Sequence, residues 1–298
     1  MPPSSLPHLA LILNAGLWGL SWIPYKAMEA HGLSILWATA LAYTALTLGL
    51  FLIRRQAIGE LLRWPHPLWG MAICYGLTNT CFNWALALGD VVRVVLLFYL
   101  MPVWSALFAR WMLREHMGRE GVARLVLALS GAVIVLGGVG SSSGAADLLA
   151  VMGGVFFGLA NVLLRRAEHQ PEVSRLWMMF AGSGLVPLAI LLVMAVLTPF
   201  QFWPQEALGS VRPPWAAEAD AYAILPIVIL GLAVANFSLQ FGASRLPAQV
   251  TSLLMLSEVA FAAVSAAVLL GSAPQQHEWI GGLIIISTAT WASVRPGR

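Results

Sequence analysis

Polar and aromatic side chains occur at helical spacing inside strongly apolar stretches of this sequence. Asn14, Trp18, Ser21 and Tyr25 stand at i, i+4, i+7 and i+11, which places all four on one face of a helix. A polar group in apolar surroundings is costly unless it faces water or the protein interior. This spacing therefore predicts a helix face that lines a cavity or contacts another helix.

Five further apolar stretches carry the same combination of rings, thioethers and amides. Tyr75, Asn79 and Phe82 share one helix face, with Asn83 beside it. Interhelical amides often only hold helices together, at about 0.6 kcal/mol each, so each single amide remains open between the two roles. The set as a whole favours a cavity, and its remaining candidates are Tyr99, Met101, Phe157, Asn161, Asn236, Gln240, Met255 and Glu258.

Glu258 is the acidic residue that lies farthest from the end of an apolar run. An ionised carboxylate at that depth costs about 2.5–3.5 kcal/mol on insertion scales. It must therefore face water, find a partner or hold a proton. Two roles stay open: a carboxyl that couples proton movement to another process, and a protonated carboxyl that hydrogen-bonds a neighbouring helix.

The composition shows what surrounds these residues. Of 298 residues, 59% are hydrophobic and 10% are charged, against about 25% charged in an average soluble domain. The mean hydropathy is +0.82. Since a soluble globule of this size could not hide that much apolar surface, lipid must be the main solvent. This excludes a soluble enzyme, a nucleic-acid-binding module and a secreted disulfide scaffold.

Ten apolar runs are long enough to cross a bilayer, which takes roughly 20 residues of helix. The sequence therefore predicts an all-α polytopic membrane protein, and residues 1–298 form a single transmembrane unit. The predicted spans are 9–27, 33–53, 68–88, 91–113, 121–140, 145–164, 174–197, 221–241, 247–271 and 278–294.

The chain divides into two similar halves, residues 9–140 and 145–294. Residues 17–20 (Leu-Trp-Gly-Leu) are echoed by residues 156–159 (Phe-Phe-Gly-Leu), and the later spans of each half show further matches in the same order. Because five spans is an odd number, the second half enters the membrane from the opposite face. Two inverted five-helix repeats are typical of secondary transporters, which bind substrate between the repeats near the midplane.

Basic residues predict the orientation. Lys26, Arg93 and Arg212 fall on one side of the predicted topology, and every other Lys and Arg falls on the side of the two termini. The positive-inside rule then places both termini in the cytoplasm. The expected location is the inner (plasma) membrane.

Short motifs resemble a known family. They are Trp18-Gly19 followed by Lys26, Ala85-Leu86 leading into Leu100-Met101-Pro102-Val103, and Leu113-Arg114-Glu115. Together with the ten spans they resemble the EamA-type drug/metabolite transporter superfamily and, within it, the aromatic amino acid exporters of the YddG type. The second half departs from the pattern, with Phe157 for a tryptophan, Val259 for a proline and Ser272 for an acidic residue.

The resemblance implies a function. It implies export of small amphipathic solutes, most of all aromatic and other neutral amino acids, by alternating access in which one half rocks against the other. The substrate ring would stack on Trp18, Tyr99 and Phe157, and amides such as Asn79 would bind its ammonium and carboxylate. The alternatives are another metabolite or drug as substrate, or a different class of protein, either a channel or an intramembrane enzyme.

Enzyme and cofactor motifs are absent from the sequence. It has no Gly-Lys-Ser/Thr phosphate loop, no His-x-x-x-His metal spacing and no intramembrane protease signature. We therefore predict no catalytic activity, no cofactor and no metal. The expected partners are the lipid bilayer and a small-molecule substrate, without nucleic acid or an obligatory protein partner.

Overall fold

The computed structural model describes most of the chain. The described residues are 5–54, 66–114, 119–135, 144–167, 169–197, 214–243, 245, 254–255, 257–271 and 275–294. Within these ranges the regular structure is helical and no strand occurs. The fold class predicted from the sequence, an all-α protein, agrees with this part of the chain.

The helices follow the apolar runs. Apart from one short 3₁₀ turn (Pro214–Ala216), the described elements are α1 (Leu6–Gly19), α2 (Trp22–Ala30), α3 (Ile35–Ile53), α4 (His66–Leu88), α5 (Val91–Phe98), α6 (Met101–Leu113), α7 (Arg119–Val135), α8 (Ala145–Arg166), α9 (Glu172–Leu197), α10 (Ala219–Ala243), α11 (Ser257–Leu270) and α12 (Gln276–Val294).

Six helical segments in the described part are long and apolar enough to cross a membrane. They are Leu6–Ala30, Ile35–Ile53, Val91–Leu113, Ala145–Arg166, Glu172–Val196 and Ala219–Leu239. Each of the other predicted spans also contains described helix, although α7 and α11 have only 17 and 14 residues. The count of ten spans therefore stays a prediction.

Two predicted spans are broken near their middle. The first is interrupted at Leu20–Ser21, between α1 and α2, and the fourth at Tyr99–Leu100, between α5 and α6. Pro102 is the second residue of α6, so its missing N–H leaves the carbonyl of Phe98 without the usual helical donor. At the first break, the carbonyl of Trp18 accepts from both the Ser21 Oγ, at 2.7 Å, and the Ser21 N–H, at 3.1 Å.

The largest helix contacts run between the two halves. Helix α4 of the first half packs on α8 and α9 of the second, while α1 packs on α10 and α11. Helices α3 and α9 pair with each other, as do α7 and α12. Helices α3 and α9 contain the second span of each half, and α7 and α12 contain the fifth. Pairs of equivalent helices are what a two-fold relation between the halves would produce.

Glycines allow the closest of these contacts. A Cβ atom on Gly182 of α9 would overlap the backbone of Ala72 in α4, and one on Gly76 would overlap the carbonyl of Gly182. Only glycine permits this backbone approach, as in other close helix contacts of membrane proteins. The contact brings Ser183 Oγ within 2.9 Å of Asn79 Nδ2, so it fixes a polar residue of the interior.

Candidate functional site

A cavity of about 460 Å³ lies between the two halves. Its wall combines aromatic rings, thioethers and a few polar groups, and it draws on helices of both halves. This volume falls in the range of sites for small organic molecules. The lining residues are Trp18, Tyr43, Tyr75, Thr78, Asn79, Phe82, Phe98, Met101, Phe157, Asn161, Leu164, Glu172, Arg175, Leu176, Met179, Asn236, Leu239, Met255 and Glu258.

The cavity lies toward one face of the bundle. The lining residues that come from α8 and α10 lie in the C-terminal halves of those helices, and those that come from α9 lie in its first turns. The end of α8 and the start of α9 are at the same face, because only residues 167–171 separate them. Glu172 is exposed there, so the cavity reaches the surface. We call the rim formed by Glu172 and Arg175 the mouth.

Helix ends meet at the inner end of the cavity. Gly19 is the last residue of α1 and packs directly against the start of α11. A Cβ atom added to Gly19 would lie 2.6 Å from the carbonyl oxygen of Glu258. The break in the fourth span reaches the same place, because Tyr99 Oη is 3.0 Å from the carbonyl of Met255. Interrupted helices around a mid-membrane cavity are the usual substrate-site architecture of secondary transporters.

Glu258 has a neutral partner at this junction. Its side chain is buried, it lines the cavity, and its Oε2 is 3.0 Å from Tyr99 Oη. Among the described residues Glu258 forms no ion pair. Tyr99 has one hydroxyl proton, so it donates to either Glu258 or the Met255 carbonyl, and a protonated Glu258 donates in return. The geometry therefore suits either protonation state.

The amide of Asn79 is already fully engaged with neighbouring helices. Its Nδ2 donates to the carbonyl of Tyr75 at 3.1 Å and to Ser183 Oγ at 2.9 Å, and its Oδ1 accepts from Tyr43 Oη at 3.2 Å. Asn79 lines the cavity, yet its polar atoms hold α3, α4 and α9 together. The structure therefore leaves this amide little capacity to bind the charged groups of a substrate.

Four of the predicted site residues are not part of the described cavity wall. Asn14 Nδ2 donates to the carbonyl of Ala235 at 2.7 Å, and Asn83 Nδ2 donates to Thr39 Oγ1 at 2.9 Å. Tyr99 does not line the cavity, but its hydroxyl contacts Glu258, which does. The side chain of Gln240 is outside the described residues. The structure brings the other candidates together around the cavity: Trp18, Tyr75, Asn79, Met101, Phe157, Asn161, Asn236, Met255 and Glu258.

The sequence-based site omitted several wall residues. Apolar ones such as Phe98 and Leu239 give no signal, because every span is rich in such side chains. The mouth could have been found, since Glu172, Arg175, Leu176 and Met179 stand at i, i+3, i+4 and i+7 and share one helix face. The positive-inside count used Arg175 only as a charge on the side of the termini, and the structure places it in the first turn of α9.

The opposite face is closed by polar contacts, and we call it the closed end. Arg93 of α5 binds Asp147 of α8 through two bonds, Nε to Oδ1 and Nη2 to Oδ2, both 2.8 Å long. The Asp147 side chain is only 8% exposed. Lys26 Nζ also donates to the carbonyl of Ala87 at 3.0 Å. The ion pair links the first half to the second.

One group of potential metal ligands occurs in the described part of the chain. His31, Glu218 and Asp220 have ligand atoms within 4.8 Å of one another, and His31 Nδ1 is 2.9 Å from Glu218 Oε2. Both carboxylates are exposed to solvent, and none of the three residues lines the cavity. Such surface groups are common without a metal, so we assign no function to this one.

Fold and site together define a class of protein: a helical membrane protein with a central cavity at broken helices. The EamA-like transporter family matches the chain twice, at residues 5–137 and 144–294, and the chain belongs to this family. It is therefore a multi-pass membrane transporter of small solutes built from two repeats.

Structural comparison agrees at the level of the fold. A solved structure described only as "Crystal structure of protein" is 20% identical to this chain and has a TM-score of 0.58. The match covers 97% of this chain and 96% of that one. No curated protein matches the sequence.

Proposed function

We propose that this protein is a secondary transporter that exports aromatic and other neutral amino acids. The observation that carries the proposal is the cavity between the halves, in which nine of the 19 lining residues are aromatic or methionine and three are acidic or basic. The export direction and the preference for Phe, Tyr and Trp rest on the resemblance to YddG-type exporters.

An aromatic substrate has a surface to pack against inside this cavity. Phe157 is the centre of a ring cluster, with its centroid 6.1 Å from that of Tyr75 and 5.7 Å from that of Phe98. Trp18 contributes to the same wall from the first half. Ring pairs at such separations contribute about 0.5–1.5 kcal/mol beyond burial, so a ring-bearing solute gains more here than a small one.

Alternating access accounts for the two unlike faces. With the termini in the cytoplasm and the repeats inverted, the mouth faces the cytoplasm and the closed end faces outward. The structure is then the state that accepts solute from the cell interior. Release outside requires the closed end to part and the mouth to close, as expected for secondary transporters.

Uptake into proteoliposomes tests the proposal. We would compare labelled Phe, Thr, Lys and a nucleotide sugar in vesicles that contain the purified protein. The proposal expects saturable flux and counterflow for Phe, weaker flux for Thr and none for the nucleotide sugar. Strong transport of the nucleotide sugar without amino acid flux would overturn the substrate assignment, and ohmic current without saturation would indicate a channel.

A further inference from the structure

We propose that Arg175 binds the carboxylate of the transported solute at the mouth and thereby selects solutes that carry one. The inference rests on the proposed function, because it assumes that the cavity holds the solute. It adds a selectivity residue that is distinct from the aromatic wall.

The first observation is that the guanidinium of Arg175 has no hydrogen-bond or ion-pair partner among the described residues. Its side chain is partly buried and lines the cavity. Among the described residues its guanidinium forms neither an ion pair nor a hydrogen bond, and its buried Nε is one of the unsatisfied donors. Glu172, one turn earlier, also lines the mouth, but the two side chains form no ion pair.

The second observation is that the cavity offers few other groups for an anion. Asn79 uses its amide on Tyr75, Ser183 and Tyr43. Asn236 Nδ2 donates to the carbonyl of Leu232 at 2.8 Å. Among the described wall residues, Arg175 thus provides the cationic donors that face the solute space. A guanidinium binds a carboxylate through two parallel bonds, and such bonds are stronger than neutral ones.

The third observation is the position of Arg175 beside the rings. Arg175 and Tyr75 line the same cavity, and Tyr75 stands edge-on to Phe157, with interplanar angle 82°. A solute whose carboxylate is bound by Arg175 therefore directs its apolar part toward this ring cluster. The arrangement matches a compact molecule with a carboxylate near an aromatic ring.

The test measures binding by calorimetry, with the purified protein and three probes: phenylalanine, phenylalaninamide and phenylacetate. Wild type is compared with Arg175→Gln, Arg175→Lys and a control, Arg110→Gln. Arg110 is an exposed residue of α6 outside the cavity. It is at the same face as the mouth, because Arg166 at the end of α8 donates to the Met112 carbonyl in α6 at 2.6 Å.

We expect wild type to bind phenylalanine at least about tenfold more tightly than its amide, as a charge-assisted pair predicts. Arg175→Gln should abolish this ratio by weakening phenylalanine binding. Arg175→Lys should restore part of it, and Arg110→Gln should leave it unchanged. The ratio is internal to each variant, so a partial loss of folded protein does not alter it.

Other outcomes separate this inference from the proposed function. If Arg175→Gln and Arg175→Lys keep the wild-type ratio, the role of Arg175 is overturned while amino acid transport stands. If wild type binds phenylacetate in an Arg175-dependent way but neither binds nor transports phenylalanine, the amino acid assignment is overturned and the role of Arg175 stands. If wild type binds none of the three probes, both are overturned.

Discussion

Two arginines at opposite faces of the bundle show how the same side chain can be used in two ways. Arg93, at the closed end, donates hydrogen bonds to both carboxylate oxygens of Asp147 in the other half of the chain. Arg175, at the mouth, forms no ion pair with the carboxylate of any described residue. In one case the protein supplies the anion and thereby joins its halves. For Arg175, we propose that the solute supplies the anion.

The difference matters for a transporter because a closed end must be able to open. Once both charges are desolvated, an ion pair adds little net stability, yet breaking it by removing one partner leaves a costly buried charge. The Arg93–Asp147 ion pair therefore joins the two halves at little net gain in stability, which is compatible with a contact that opens. The first of the following predictions tests the closed end, and the others test the cavity and the helices around it.

The largest effect is expected from reversing one charge at the closed end. Asp147→Arg leaves Arg93 facing a second cation in a partly buried site, at a cost of about 3–5 kcal/mol. We expect counterflow of labelled Phe to fall more than tenfold. The double variant Arg93→Asp plus Asp147→Arg should recover most of the flux. A single reversal with unchanged counterflow would show that the pair does not control the closed end.

The next effect concerns Glu258 and its contact with Tyr99. Glu258→Gln keeps a hydrogen-bonding group at the junction but removes the exchangeable proton. If the carboxyl couples proton movement to transport, a pH gradient of one unit drives up to about tenfold accumulation in wild type and none in the variant. Accumulation in proteoliposomes is the measurement, with Glu120→Gln as a control because Glu120 is 55% exposed.

Two results would contradict coupling through Glu258. One is equal accumulation in wild type and in Glu258→Gln under the same gradient. The other is equilibration without accumulation in both proteins, which would make Glu258 structural and the protein a facilitator.

A smaller effect is expected at the aromatic wall. Trp18→Ala removes a ring that lines the cavity, so flux of Phe should fall about two- to tenfold while flux of Thr changes less. Trp111→Ala is the matched control, because Trp111 is 77% exposed on the outer surface of α6. Equal losses for Phe and Thr, together with poor expression, would indicate a packing role for Trp18.

The smallest effect separates amides that hold helices from amides that face the cavity. Asn83→Ala loses the bond to Thr39 and should lower the free energy of unfolding by about 0.6 kcal/mol without changing transport. Asn161 lines the cavity and makes no hydrogen bond with a described residue, so Asn161→Ala should change transport and not stability. Thermal unfolding and flux, measured on both variants, distinguish the two roles.

The sequence predicts the helices and much of the cavity wall because lipid imposes strict rules. Backbone groups in a bilayer must be satisfied within helices, and a face such as Tyr75, Asn79 and Phe82 is readable from spacing alone. These rules do not show which amides form hydrogen bonds with a neighbouring helix and which face the cavity. Asn14 and Asn83 follow the same pattern as Asn161, and only the position of a neighbouring helix decides their role.

The helix breaks illustrate a second limit. Pro102 predicts the interruption of the fourth span, and Pro24 gives the same signal four residues after Leu20. Pro187 and Pro226, however, lie inside α9 and α10 without ending them. Both breaks lie beside the start of α11: Gly19 packs against Glu258, and the Tyr99 hydroxyl contacts the Glu258 carboxyl and the Met255 carbonyl. Proline permits a break, and tertiary contact determines where it occurs.

The glycine contact between α4 and α9 has a mechanical consequence. Because the backbones of Ala72 and Gly182 touch with no side chain between them, the two helices cannot slide past each other without unpacking. We therefore expect α4 and α9 to move together, although one comes from each sequence repeat. In an alternating-access cycle the moving parts would then be mixed sets of helices, and their boundary would not coincide with the boundary between the two repeats.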